Sequence, residues 1–230
     1  MKQNLTHITT VLDSSSSMAR IAKEMVQGLQ DFVREQKAVP GEATFSLFRF
    51  SNTTTKLLDF VDLSMVELRN DILKPNGSTA LYDCIGRAIN STGNHLAAMK
   101  ESDRPAKVIM VIITDGEENC STEFSQQQIK NMIELQEQTY NWQFVFLGAN
   151  IDAVETGIAL GISAQSCMTF DYSAKGTTEG LIAASVNLTN YRTGHTNQTS
   201  FVDPAKTNNV DSKDLADLLN DAFHQTQNSN

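Results

Sequence analysis

Apolar residues form two alternating patterns along the chain: short continuous runs, and longer stretches with helical spacing. A continuous apolar run is typical of a strand buried on both faces. The runs predict strands over Thr6–Leu12, Ala43–Phe50, Thr54–Val61, Lys107–Thr114, Trp142–Leu147 and Ser166–Phe170. Apolar spacings of three and four residues predict helices over Met18–Lys37, Ser64–Leu73, Ala80–Met99, Ser125–Thr139, Asp152–Leu160 and Thr177–Asn190.

The order of these elements predicts an α/β fold. Strands that alternate with helices form a doubly wound, Rossmann-like sheet, here with six mostly parallel strands and helices on both faces. The exception is the pair Ala43–Phe50 and Thr54–Val61, because only the short polar turn Ser51–Thr53 separates them. A turn of this length joins antiparallel strands, so we expect one antiparallel strand at the edge of the sheet.

The composition changes near residue 193. The preceding part predicts one domain over residues 1–192, a length sufficient for one large core. Residues 193–230 are more polar and predict a tether that carries a short amphipathic helix over Lys213–Phe223. This helix either packs on its own domain or binds a partner or a second copy, and the sequence does not separate these alternatives.

Charge and targeting signals narrow the class of protein. A net charge of −9 and a pI near 4.9 argue against nucleic acid as the main partner, since that affinity comes largely from Lys and Arg. No apolar window is long enough to cross a bilayer, and no signal region precedes the first strand. The three cysteines, Cys84, Cys120 and Cys167, are widely spaced and fit reduced thiols. We therefore expect a cytoplasmic protein that does not enter the membrane.

Oxygen-bearing side chains follow three of the predicted elements. Asp13, Ser15 and Ser17 form a D-x-S-x-S pattern directly after the first strand. Thr79 precedes a helix, and Asp115 follows the most apolar strand. Ligands of doubly wound sheets bind beyond the carboxyl ends of the strands, which is where these loops meet. Carboxylates and hydroxyls suit a hard divalent cation.

Other interpretations of these residues exist. Asp13 and Ser17 have the residue types that cap helix N-termini, and caps are common. Glu117, Glu118 and Asn119 extend the second acidic loop, either as a solvated charged loop or as a second ion site. The sequence has no G-x-S-x-G elbow, P-loop or G-x-G-x-x-G turn, which removes the usual support for hydrolase, nucleotide-triphosphatase and dinucleotide-binding functions.

The set Asp13, Ser15, Ser17, Thr79 and Asp115 resembles the metal-ion-dependent adhesion site of the von Willebrand factor A family, in order and in placement. The segment at residues 144–153 resembles intracellular bacterial and phage-type members of that family. The resemblance implies that these five residues bind Mg²⁺, with Mn²⁺ or Ca²⁺ as alternatives. It also implies that an Asp or Glu of a protein partner completes the coordination sphere.

The resemblance therefore favours a non-enzymatic, metal-dependent protein-binding module. One alternative is an accessory subunit of a larger ATPase or stress-response complex. A less favoured alternative is a metal-dependent hydrolase in which an aspartate activates water. The sequence predicts neither the oligomeric state nor the identity of the partner.

Overall fold

The computed structural model describes residues 1–201 of the 230-residue chain. The strands of this part are β1 (Lys2–Asp13), β2 (Glu42–Phe50), β3 (Thr54–Asp62), β4 (Pro105–Thr114), β5 (Gln143–Ala149) and β6 (Cys167–Phe170). The α-helices are α1 (Ala22–Ala38), α2 (Leu81–Ala98), α3 (Gln126–Tyr140), α4 (Ala153–Ala159) and α5 (Ala174–Thr193). Short 3-10 turns cover Ser16–Arg20, Leu63–Met65, Glu101–Asp103 and Ala164–Ser166.

The six strands form one sheet in the order β3-β2-β1-β4-β5-β6. Neighbours pair in parallel except β2 and β3, which are antiparallel and leave β3 at the edge. The predicted α/β fold, with a mostly parallel sheet and one antiparallel edge strand, is confirmed. The chain leaves β1 towards β2 on one side and later returns to β4 on the other. The carboxyl ends of β1 and β4 therefore border the crevice where such sheets bind ligands.

Alternating residues of each central strand enter two different cores. On β4, Ile109, Val111 and Ile113 pack on the side of α1 and α5. Met110 and Ile112 pack on the opposite side, with α2 and α3. Because both faces are covered, β4 is apolar at nearly every position, which accounts for its continuous run in the sequence.

The helix predicted over Ser64–Leu73 is wrong. Only the turn Leu63–Met65 forms there, and the following residues are irregular. A helix would pair the Leu68 carbonyl with the Ile72 N–H, but this carbonyl instead accepts a hydrogen bond from Gln30 Nε2 at 2.8 Å. Tertiary hydrogen bonds to α1 and β2 therefore replace helical ones in this segment.

The described chain continues in contact with the domain beyond α5. Ser166 Oγ donates to the Thr199 carbonyl at 2.8 Å, and the Phe201 N–H donates to the Gln165 carbonyl at 2.7 Å. The predicted boundary at residue 192 stays a prediction, and the amphipathic helix predicted over Lys213–Phe223 lies outside the described residues. Among residues 1–201, none of the helices combines the length and the apolar character needed to cross a bilayer.

Candidate metal centre

Asp13 ends β1 and is completely buried. Its Oδ1 accepts a hydrogen bond from the Ser15 N–H at 2.6 Å, and its Oδ2 accepts one from Thr114 Oγ1 at 2.6 Å. Burial, with a smaller contribution from the charge of Asp115, raises the pKa of Asp13 to about 6, although these hydrogen bonds oppose the shift. Both oxygens of Asp13 therefore hold the serine loop and the end of β4 in position.

Two serines connect the first loop to Asp115. Ser15 Oγ lies 2.9 Å from Ser17 Oγ, and Ser17 Oγ donates to Asp115 Oδ1 at 2.7 Å. The other oxygen of that carboxylate, Asp115 Oδ2, is buried and has no hydrogen-bond partner among the described residues. Burial raises the pKa of Asp115, and the bond from Ser17 partly offsets this effect. A buried carboxylate oxygen without a partner is costly unless a cation or a donor reaches it.

Thr79 approaches the same point from the loop before α2. Its N–H donates to Asn119 Oδ1 at 2.9 Å, and the Asn119 N–H donates back to the Thr79 carbonyl at 3.1 Å. A Cβ at Gly116 would lie 3.4 Å from Thr79 Oγ1 and 3.8 Å from Ser17 Oγ. Gly116 thus leaves the space between these two hydroxyls open, and the structure brings all five predicted residues together.

Two carboxylates outside the five predicted metal residues fix the loops of the centre. Asp83 of α2 accepts hydrogen bonds from the N–H groups of residues 122, 123 and 124, at 2.9 to 3.0 Å. Glu118 accepts from the N–H groups of Tyr82, Cys120 and Ser121. These bonds clamp the loop after Asp115 onto the start of α2. They engage Glu118, and the bonds with Thr79 engage Asn119, which favours a structural role of these two residues over a second ion site.

Tyr172 is a site residue that sequence reasoning missed. It lies between β6 and α5, far along the chain, and its hydroxyl donates to the carbonyl of Ser17. The Tyr172 side chain also lies close enough to Asp115 to help Ser17 lower the pKa of that carboxyl. No local motif marks Tyr172, because only the pairing of β6 with the sheet brings it to this edge.

The donor set defines which metals fit. Residues 1–201 contain no cluster of three or more His, Cys, Asp or Glu side chains that would hold a metal by themselves. A metal at this centre would depend on the hydroxyls of Ser15, Ser17 and Thr79 with two carboxylates. Such an all-oxygen set fits a hard divalent cation, and the free, buried Asp115 Oδ2 provides an anionic ligand for it.

The mostly parallel sheet carries oxygen-bearing loops beyond the carboxyl ends of β1 and β4, an arrangement that suits a domain with a metal site. Sequence similarity identifies the family. The sequence profile of the von Willebrand factor type A domain matches residues 7–184, most of the chain. The chain therefore belongs to the von Willebrand factor type A domain family. No curated protein sequence matches the chain.

Several solved structures have a fold similar to that of this chain. Proximal thread matrix protein 1 from the mussel byssus, with a zinc-occupied MIDAS motif, is 18% identical, with a TM-score of 0.53 over 96% of this chain and 46% of that one. Manganese-loaded TRAP from Plasmodium vivax is 13% identical, with a TM-score of 0.52 over 80% of this chain and 74% of that one. The PilB minor pilin of Streptococcus sanguinis, as its D319A mutant, is 9% identical, with a TM-score of 0.60 over 85% and 64%.

These similarities support the fold. The chain spans less than two thirds of the mussel and streptococcal proteins, 46% and 64% of their lengths. At identities below one fifth, the roles of individual residues do not transfer from these structures.

Proposed function

We propose that this chain is a metal-dependent protein-binding module. In this proposal Asp13, Ser15, Ser17, Thr79 and Asp115 hold Mg²⁺, with Mn²⁺ or Ca²⁺ as possible substitutes. A carboxylate from an Asp or Glu of a protein partner completes the coordination sphere. The observation that carries the proposal is the buried, unpartnered Asp115 Oδ2 beside the hydroxyl of Ser17.

The charge of the donor set explains why a partner would be recruited. Three of the five ligand side chains are neutral hydroxyls, and both Asp13 oxygens already accept hydrogen bonds from the protein. Asp115 is then the one carboxylate of the set with an oxygen free for direct coordination, so a divalent cation bound here would keep part of its positive charge. An incoming carboxylate is a hard, anionic oxygen ligand and would bind at that point.

The same geometry favours binding over catalysis. Asp13 is committed to Ser15 and Thr114, and the Ser15 hydroxyl pairs with Ser17. This leaves Asp115 as the carboxylate with a free oxygen, and that oxygen is the one we assign to the metal. We therefore propose a non-enzymatic module. We also propose that it is located in the cytoplasm and that its partner is a protein and not a nucleic acid, in keeping with its net charge of −9. The coarser alternative, an accessory subunit of a larger machine, uses the same site.

The test is a pull-down from host lysate with wild type and Asp115→Ala, each in Mg²⁺ and in EDTA. Asp103→Ala is the matched control, because Asp103 is exposed and precedes β4 whereas Asp115 follows it. We expect a partner to be retained only by wild type and Asp103→Ala in Mg²⁺. A partner retained equally by Asp115→Ala, or in EDTA, would contradict the metal-bridged mechanism.

A further inference from the structure

Arg20 lies at the rim of the candidate metal centre and is exposed to solvent. It ends the 3-10 turn Ser16–Arg20 that carries Ser17. Its guanidinium carbon lies 5.5 Å from the centroid of the Tyr172 ring, a cation–π contact. Since the hydroxyl of that ring donates to the Ser17 carbonyl, one side chain connects Arg20 to the metal centre.

The donors of Arg20 are available to a ligand. Within residues 1–201, no hydrogen bond or ion pair engages its guanidinium, although seven ion pairs occupy other basic side chains. A guanidinium presents several N–H donors in a planar fork that matches a carboxylate. Tyr172 stacks on this group without using those donors, so it restricts the position of Arg20 and leaves its fork free.

The charges around the centre differ from one side to the other. Arg20 lies on the side of the serine loop, and Glu117, which is exposed, lies on the loop after Asp115. The chain as a whole carries a net charge of −9, so it repels an acidic segment at long range. Local attraction near Arg20 would therefore decide where a second acidic group of a partner can bind.

We propose that the centre binds an acidic pair: one carboxylate at the metal and a second at Arg20, held by Tyr172. This inference rests on the proposed function, which supplies the first carboxylate. The Tyr172 ring carries Arg20 and its hydroxyl contacts the Ser17 carbonyl, so about the length of one tyrosine ring separates Arg20 from the centre. In an extended segment, side chains i and i+2 share a face and lie about 7 Å apart, a spacing of the same order. The expected ligand is an extended segment with acidic residues two positions apart.

The test measures peptide binding to the full chain by fluorescence anisotropy, in Mg²⁺ and in EDTA. The probes are labelled Gly/Ser peptides that carry Glu-x-Glu, Glu-x-Gln or Glu-x-Lys at their centre. The variants are Arg20→Glu and the matched control Lys23→Glu, an exposed residue of α1 with the same change in charge. We expect wild type to bind Glu-x-Glu about fivefold more tightly than Glu-x-Gln, the size of an exposed ion pair.

The charge swap separates recognition from a general electrostatic effect. Arg20→Glu should reverse the order of peptide affinities and bind Glu-x-Lys most tightly. Lys23→Glu should keep the wild-type order, with Glu-x-Glu bound most tightly. Equal, Mg²⁺-dependent binding of all three peptides by wild type would overturn the acidic pair and leave the proposed function in place. Absence of Mg²⁺-dependent binding by every peptide would count against the acidic pair and against the proposed metal-dependent binding function.

Discussion

Single residues of the candidate centre divide into those that hold the loops and those that face the ion. Asp83 and Glu118 accept hydrogen bonds from backbone N–H groups and hold the loops, whereas Asp13 holds the serine loop and is also a proposed metal ligand. Thr79 differs, because it binds the neighbouring loop through its N–H and carbonyl groups and leaves its hydroxyl at the centre. Substitution of these two kinds of residue should therefore have different consequences for folding and for metal binding.

Thr79→Ala should weaken metal binding with little change in stability. The substitution removes one proposed ligand oxygen and keeps both backbone bonds to Asn119. We expect affinity for Mg²⁺ and Mn²⁺ to fall at least about tenfold, measured by isothermal titration calorimetry. The free energy of unfolding in EDTA should change by less than about 1 kcal/mol.

Thr122→Ala is the control for Thr79→Ala. Thr122 is exposed on the loop after Asp115 and contributes its N–H to Asp83. The control should retain the metal affinity of wild type. Equal metal affinity in Thr79→Ala and wild type would contradict the ligand role of Thr79.

His7 is a buried titratable residue outside the metal centre. Its Nδ1 lies 2.8 Å from Thr44 Oγ1 and its Nε2 lies 3.0 Å from Thr9 Oγ1. Its ring stacks on Phe60 at 3.6 Å, and His95 stacks on the other face of Phe60. Burial, with a smaller contribution from the charge of His95, lowers the pKa of His7 to about 3. His7 is therefore neutral in the folded protein across the ordinary pH range.

Acid should destabilise the fold through His7. The unfolded chain takes up a proton on this residue below about pH 6.5, whereas the folded protein does not until about pH 3. Because the unfolded state binds more protons in this interval, stability falls with decreasing pH, by up to about 1.4 kcal/mol per pH unit. This contribution is absent above about pH 6.5, where His7 is neutral in both states.

The measurement is urea unfolding of wild type and His7→Gln at about pH 7.5 and about pH 5.0, on either side of the pKa of an unfolded histidine. His7→Gln should be less stable at the higher pH, since it disturbs the contacts with Thr44 and Phe60. The difference should shrink at the lower pH, because only wild type incurs the cost of keeping His7 neutral. Asp13, whose pKa is raised to about 6, titrates in both proteins and cancels in the comparison. A difference that does not change with pH would contradict this role of His7.

At the scale of elements, close contacts determine how α5 begins. Gly176 lies in the first turn of α5, and a Cβ there would lie 2.3 Å from the Asp171 carbonyl oxygen. Backbone atoms cannot move away as the end of a side chain can, so the loop that carries Tyr172 would have to shift. Gly93 of α2 is the opposite case, because no described atom outside its own stretch of helix lies within 4 Å of where a Cβ would be.

Gly176→Ala and Gly93→Ala should therefore change stability in opposite directions. Alanine is favoured over glycine inside a helix by about 0.5–1 kcal/mol. Gly93→Ala should gain about this amount in urea unfolding. Gly176→Ala should lose about 1–3 kcal/mol, because the steric cost exceeds the helical gain. Stabilisation of the protein by both substitutions would show that the loop before α5 adapts without cost.

The sequence predicts most elements because their patterns are local. Continuous apolar runs indicate strands such as β4, which is buried on both faces, and the short turn after β2 indicates the antiparallel edge. The error at Ser64–Leu73 arises because that segment bonds to Gln30 and other distant residues, which a local pattern does not show. The predicted start of α5 at Thr177 is three residues late, since Ser173 caps the helix through the Gly176 N–H.

The grouping of the five candidate metal residues was predictable for a different reason, while their role as ligands stays a prediction. Asp13, Thr79 and Asp115 lie next to predicted strands or helices, so a doubly wound sheet places them at one edge. Tyr172 and Thr114 could not be assigned in this way. Tyr172 reaches the centre across 155 residues of sequence, and Thr114 acts through a hydroxyl at the end of an otherwise apolar strand.

On the scale of the whole molecule, long-range contacts hold the end of α5 to the rest of the domain. Arg192 donates to the carbonyl of Gln36 in α1 at 2.7 Å. Lys107 of β4 donates to the Arg192 carbonyl at 2.8 Å. Burial lowers the pKa of Arg192 to about 10, which still leaves it charged at neutral pH. The carboxyl end of α5 is thus fixed to α1 and β4, and its amino end follows the loop of Tyr172.

The residues after α5 should contribute to the stability of this domain. Ser166 and Asn187 bond to the backbone of residues 199 and 200, and Phe201 packs against the core shared by α1 and α5. A chain ending at residue 193 loses these bonds and leaves Ser166, which is buried, without its partner. At about 1 kcal/mol for each bond, we expect a loss of about 2–3 kcal/mol relative to a chain ending at residue 201. For a domain of this size that corresponds to about 5–10 °C in thermal unfolding. If both chains unfold at the same temperature, residues 194–201 do not belong to the folded unit and the domain ends near the predicted residue 192.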